Sequence, residues 1–314
     1  QTMLADKLTA EFSEQSKDVE SLQAAGGAKF SELDRNAVAS NFVFTQADQT
    51  VRLRGGEPTF WDSSSRAKAP EIDWDTRNQH SYLRGGVSTT YYSRNKTGNA
   101  APFGNSDKPV FATAQSMEID HKAQTAVYTG NARAWQDNNY VRADRFTIDQ
   151  QKGTFNAEGS VQSLLYDAKQ KRKGSNSDVP VYATAESLSF ARDPRILQYR
   201  RSVDIRQGTD RVTAQSADVY LDDHNEMSKT VVENGVTITQ PGRKAVGDSA
   251  EYTAENDVAI IRGNPARVDD AENGSSQSAQ ITVYLRDNRV YSEGGTKQNP
   301  SARTRSVYKV KNTQ

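Results

Sequence analysis

The chain has 314 residues, 40 Lys and Arg against 40 Asp and Glu, 34% hydrophobic residues, no cysteine and a mean hydropathy of −0.83. This balance offers no basic excess of the kind that nucleic-acid binders carry, and it rules out disulfides and thiolate metal sites. It also holds too little apolar material for a thick multilayer core, whereas two sheets sharing one layer of inward side chains need only every second strand residue to be apolar.

At the N-terminus, Ala5–Ala10 (ADKLTA) aligns with Ala143–Ile148 (ADRFTI), so the chain opens inside a repeat. That start implies a mature or excised piece of a longer precursor. Leu4, Leu8 and Phe12 also fit the i, i+4 spacing of an amphipathic helix; the strand reading is preferred because it stays in phase with the later repeats. The repeat itself is Ala-x-x-φ-x-φ, with φ apolar. It begins at Ala39, Ala67, Ala114, Ala143, Ala185, Ala214, Gly247 and, more loosely, Ser276, at spacings of 28, 47, 29, 42, 29, 33 and 29. A second run in each unit is marked by Gly55, Gly85, Gly130, Gly159, Arg201, Asn234, Gly263 and Gly294. Self-similarity at this period indicates stacked supersecondary units.

Both halves of each unit alternate with period two, the pattern of a strand with one buried face. In chain order the inward set is Phe42, Phe44, Ile72, Trp74, Met117, Ile119, Phe146, Ile148, Phe155, Val161, Leu188, Phe190, Tyr199, Val203, Ile205, Val219, Val236, Ile238 and Tyr252. Turn-forming residues separate the halves at 120–122, 149–153, 191–194 and 286–288. A glycine at one place in most units predicts a bend at each level, hence a continuous crease. The predicted fold is all-β: one continuous slab over 1–314, or two tandem modules, of about 16–18 mainly antiparallel short strands in ~29-residue two-strand repeats. Long loops are expected at 93–109 and 168–179, where the spacing lengthens.

Little in the chain suggests chemistry. His80, His121 and His224 fall in turns of different units without metal-ligand spacing. The glycine pairs at 26–27, 55–56, 85–86 and 294–295 lack phosphate-loop spacing. Asp222-Asp223 and Asp269-Asp270 lack the calcium-loop pattern. Lys169–Lys173 (KQKRK) reads as a solvated basic loop. No catalytic residue, metal ligand or cofactor is expected.

The segments Thr125–Ala134 (TAVYTGNARA), Val141–Asp149 (VRADRFTID) and Glu233–Ile238 (ENGVTI) resemble the A-x-Y-x-G-N-V-x-I … A-D-x-L-x-Y-D pattern of OstA-type proteins, the LptA/LptC-like family of periplasmic lipopolysaccharide transport. The resemblance implies a twisted, V-shaped β-jellyroll whose hydrophobic interior holds lipid acyl chains. It also implies periplasmic location, and end-to-end assembly with homologous slabs or with itself, bridging inner and outer membranes. Lipopolysaccharide or its lipid A acyl chains is then the expected ligand, and the inward set of side chains the expected lining. The chain departs from the familiar members in having nearly twice the usual repeat number and two long loops. The alternative is a structural or surface β-repeat protein binding polysaccharide, such as a parallel β-helix.

Overall fold

The computed structural model describes residues 2–92, 101–103, 108–165, 179–223, 225–286, 289–295 and 303–309. Among these there is no helix. The chain divides into two compact units, Gln1–Glu158 and Gly159–Gln314. The expected loops at 93–109 and 168–179 lie largely outside the described residues, as does His224.

The first unit contains β1 (Thr2–Leu4), β2 (Lys7–Phe12), β3 (Val19–Glu32), β4 (Arg35–Thr45), β5 (Thr50–Arg54), β6 (Thr59–Trp61), β7 (Ser65–Lys68), β8 (Glu71–Asp75), β9 (His80–Tyr91), β10 (Val110–Asp120), β11 (Thr125–Gln136) and β12 (Asn139–Asp149). β13 (Thr154–Leu165) contains the division. The N-terminal segment is extended, not helical: β1 and β2 both pair antiparallel with β3. From there the long strands pair antiparallel with their neighbours, β3 with β4, β9 with β10, β10 with β11 and β11 with β12, while between β4 and β9 the ladder runs in two short tracks, β5–β8 and β6–β7. Antiparallel hairpins exclude a parallel β-helix, which needs crossover connections between parallel strands.

The second unit holds β14 (Val181–Ala191), β15 (Ile196–Gln207), β16 (Asp210–Leu221), β17 (Met227–Gln240), β18 (Arg243–Thr253), β19 (Val258–Asp270), β20 (Gly274–Tyr284), β21 (Arg289–Glu293) and β22 (Arg305–Tyr308). Neighbours from β14 to β20 pair antiparallel, and β20 carries both β21 and β22 on its far side.

The glycine marks the crease. Two consecutive residues with positive φ occur at 26–27, 55–56, 85–86, 130–131, 159–160, 201–202 and 234–235. Opposite Gly130-Asn131 the register slips, so that β11 uses one residue more than β10 between paired positions. That is a β-bulge with its first residue left-handed, which bends the strand. Arg201 and Asn234 take the same conformation without being glycine, with φ of 62° and 67°. At four places the strand beside a continuous neighbour is divided: β1 and β2 lie along β3, β5 and β6 along β4, β7 and β8 along β9, and β21 and β22 along β20. This is why 22 segments stand where 16–18 strands were expected.

The crease folds each unit's strands into two arms whose inward residues meet. In the first unit the rings of Phe30 and Phe42, on opposite sides of the bend, stack with centroids 5.9 Å apart. Tyr128 on β11 sends its hydroxyl to Thr89 Oγ1 and Tyr91 Oη beyond the crease of β9, at 2.7 Å each. In the second unit Tyr199 bonds Ser163 at 2.9 Å in the same manner. These hydroxyls satisfy polar groups that would otherwise be buried without partners.

Candidate functional site

The first unit holds a cavity of about 700 Å³ between its arms. Phe30 and Phe60 supply one wall; Phe42, Val51, Leu53, Ile72 and Trp74 supply the other. Alternation aims all of them inward, and the register carries the second wall across Phe42↔Leu53↔Ile72. The volume falls within the ~300–1,000 Å³ range of ligand pockets, and apolar walls with few polar groups are typical of them.

The mouth is polar. Glu32, Arg35, Asn36 and Asp62 come from one arm; Gln49, Thr76, Gln79 and His121 come from the turns of the other. Those turns stack: Thr76 N donates to Gln49 O at 2.9 Å and His121 N to Gln79 O at 3.0 Å. Gln49, Gln79 and Gln124 each end a turn in the left-handed conformation, so successive repeats place their turn side chains in a column. His121 Nε2 lies 2.8 Å from Ser81 Oγ. Burial, then the positive charge of Arg35, holds the imidazole below its usual pKa of 6.5, so it is neutral near pH 7. His80 pairs with Asp120 at 3.0 Å, whose carboxyl is held low by the backbone N–H of Ala123 and by His80. No group of three metal-ligating side chains occurs among the described residues.

Deeper in the same unit the interior is filled. Tyr128, Phe146 and Phe155 form a stack with centroid separations of 4.5 and 5.2 Å, and none of the three is exposed. In the second unit the recess bordered by Ile238, Ile261 and Val283 is only about 30 Å³, room for little more than a water. A shallow surface depression of about 530 Å³ near Arg243, Lys244, Asp269 and Lys309 is lined mainly by charged and small residues.

The expected lining residues therefore separate into groups. Phe42, Phe44, Ile72 and Trp74 line the cavity. Met117, Phe146, Ile148, Phe155, Val161, Leu188, Phe190, Tyr199, Val203, Val219 and Val236 are buried in packed interior. Ile119, Ile205, Ile238 and Tyr252 are half-buried, and the Tyr252 hydroxyl donates to Asp257. Sequence reasoning omitted Leu22, Phe30, Val51, Leu53 and Phe60; Val51 and Leu53 carry the same alternation and were legible. The polar mouth was not, because its members come from turns far apart in sequence.

No curated protein matches this chain. Among solved structures it is similar to LptH of Pseudomonas aeruginosa, described as the LptA-homologous periplasmic component of the conserved lipopolysaccharide transport device. The alignment has 16% identity and a TM-score of 0.39, and covers 43% of this chain and 99% of that one. A family model described as LptA/(LptD N-terminal domain) LPS transport protein matches residues 1–80, 111–198 and 182–289, most of the sequence. On that match, the chain belongs to the LptA/LptD N-terminal-domain family of LPS transport proteins.

Proposed function

We propose that this protein is a non-enzymatic periplasmic module that binds lipopolysaccharide through its acyl chains and passes it on. The observation that carries this reading is the cavity of about 700 Å³ between the arms of the first unit, walled by aromatic and aliphatic side chains. Family membership supports the ligand class. Each buried methylene contributes about 0.8 kcal/mol, so a dozen would give roughly 10 kcal/mol before the costs of ordering. The polar mouth leaves a place for a headgroup to remain in water.

Bridging would proceed through free strand edges. Among the described residues β1 and β2 pair only with β3, and Leu4, Leu8 and Phe12 on them are exposed. In the second unit, among the described residues, β21 and β22 pair only with β20 and expose Tyr291, Val307 and Tyr308. Unpaired edges with apolar side chains are ready to add a further strand, from another copy or from a homologous slab. The binding reading is tested by placing a photoreactive residue at Phe42 or Trp74 and, as control, at the exposed Glu118. Lipopolysaccharide adducts are expected at the first two positions and not at the third; equal labelling at all three would defeat it.

A further inference from the structure

The two arms of the first unit differ on their outer faces. On one, three of the cations are neutralised, and Arg145, without an ion pair among the described residues, stands apart from any aromatic row: Arg54 and Arg84 both hold Asp73, and Arg52 holds Asp48. On the other, the register places Phe111, Trp135 and Tyr140 side by side on β10, β11 and β12. Phe111 and Trp135 stack at 5.6 Å, and the Arg133 guanidinium lies 5.2 Å from the Trp135 ring and 5.3 Å from the Tyr140 ring. Arg142 is directly opposite Arg133. Like charges placed so destabilise a sheet, and neither has an ion-pair partner among the described residues. Arg66 on β7 reaches the same row, since it pairs with Thr90, which pairs with Phe111. It too is exposed and without an ion pair among the described residues.

We infer that this outer arm is a docking face for a membrane surface rich in anionic phospholipid. Three unneutralised guanidiniums, two of them facing each other across a strand pair, are complementary to a layer of phosphate monoanions, each guanidinium being able to make bidentate bonds to phosphate oxygens. The Trp135 and Tyr140 rings beside them are the side chains that prefer the headgroup level, and an open sheet face meets a plane better than it meets a small ligand. The face is separate from the cavity, which is lined from the inner side. Docking would bring a lipid-carrying module to the layer from which lipid is drawn, but the inference does not depend on the acyl-chain reading.

The test is co-sedimentation of the full chain with vesicles of phosphatidylglycerol and phosphatidylethanolamine, or of phosphatidylcholine alone. Wild type should pellet with the anionic vesicles only, with a blue shift in emission that Trp135→Phe abolishes, and should be released at high salt, where screening shortens the electrostatic range. Arg133→Gln with Arg142→Gln should weaken partitioning by about fivefold per cation removed. Arg145→Gln, on the outer face of the other arm, should leave it unchanged. Relief of the like-charge pair should hold or raise the melting temperature of the double variant, which separates lost docking from lost folding. Its cavity crosslinking at Trp74 should match wild type, so failure here is distinguishable from failure of the binding reading. Equal pelleting of wild type and the double variant, or equal pelleting with neutral vesicles, would overturn the inference. Capture on polyglutamate beads without vesicle binding would overturn it in favour of an acidic protein partner.

Discussion

Gly247 stands where six earlier repeats carry alanine. A Cβ there would lie 2.6 Å from the carbonyl oxygen of Arg262 and 2.7 Å from the Ile261 side chain. Gly27 is the opposite case: nothing lies within 4 Å of where a Cβ would stand, but φ is +61°. Gly247→Ala forces backbone apart and should cost about 2 kcal/mol or more, while Gly27→Ala should cost about 1 kcal/mol for its left-handed backbone alone. Urea midpoints would rank them, and the reverse order would refute the packing argument. His121 gives a second test at this scale. Its pKa is lower folded than unfolded, so the unfolded state binds more protons below pH 6.5. The neutral ring's contribution is complete above that value and declines as pH falls towards the folded pKa. His121→Gln should therefore flatten the fall in stability between pH 7 and 5; an unchanged slope would show that other groups carry it. At this scale the sequence was readable for burial and silent for partners. Phe146 and Leu188 were identifiable as inward from alternation alone, but the Ser81–His121 bond joins residues 40 apart.

At the scale of elements, period two revealed the strands and the recurring small residue revealed the crease, because both follow from local geometry. What stayed hidden was which creases interrupt a strand. β5 and β6 are separate while β11 is continuous through Gly130-Asn131, since Gly55-Gly56 leads on through Glu57, also left-handed, and Pro58. A longer non-extended run cannot keep the ladder. The N-terminal edge carries the assembly prediction. β2 has every residue exposed and, among the described residues, only β3 beside it. Leu8→Lys with Phe12→Lys should abolish any concentration-dependent growth of particle size in light scattering while leaving the melting curve near wild type, because neither side chain is buried. Undiminished oligomers would exclude this edge as the contact.

Across the whole molecule, few interior polar groups control pH behaviour at the alkaline end. Burial pushes Tyr91 and Tyr199 up to about 12 and Tyr128 well above 10, the last reinforced by its neighbour Tyr91. These phenols keep their protons in the fold and release them near pH 10 when unfolded, so stability is full below that value and declines above it. Phenolate absorbance should show them ionising only together with loss of strand circular dichroism. Smooth ionisation with the strands intact would place the hydroxyls in water. By itself the sequence determined an all-β, creased repeat with one inward apolar layer, because side-chain alternation and left-handed glycines are properties of neighbouring residues; that the strands run antiparallel was shown by their pairing. Whether that layer is hollow or filled was decided only by the tertiary structure. An apolar residue is equally inward beside a cavity, as at Trp74, or inside an aromatic stack, as at Phe146; the difference lies in what the facing arm presents, and that arm is brought there by the fold.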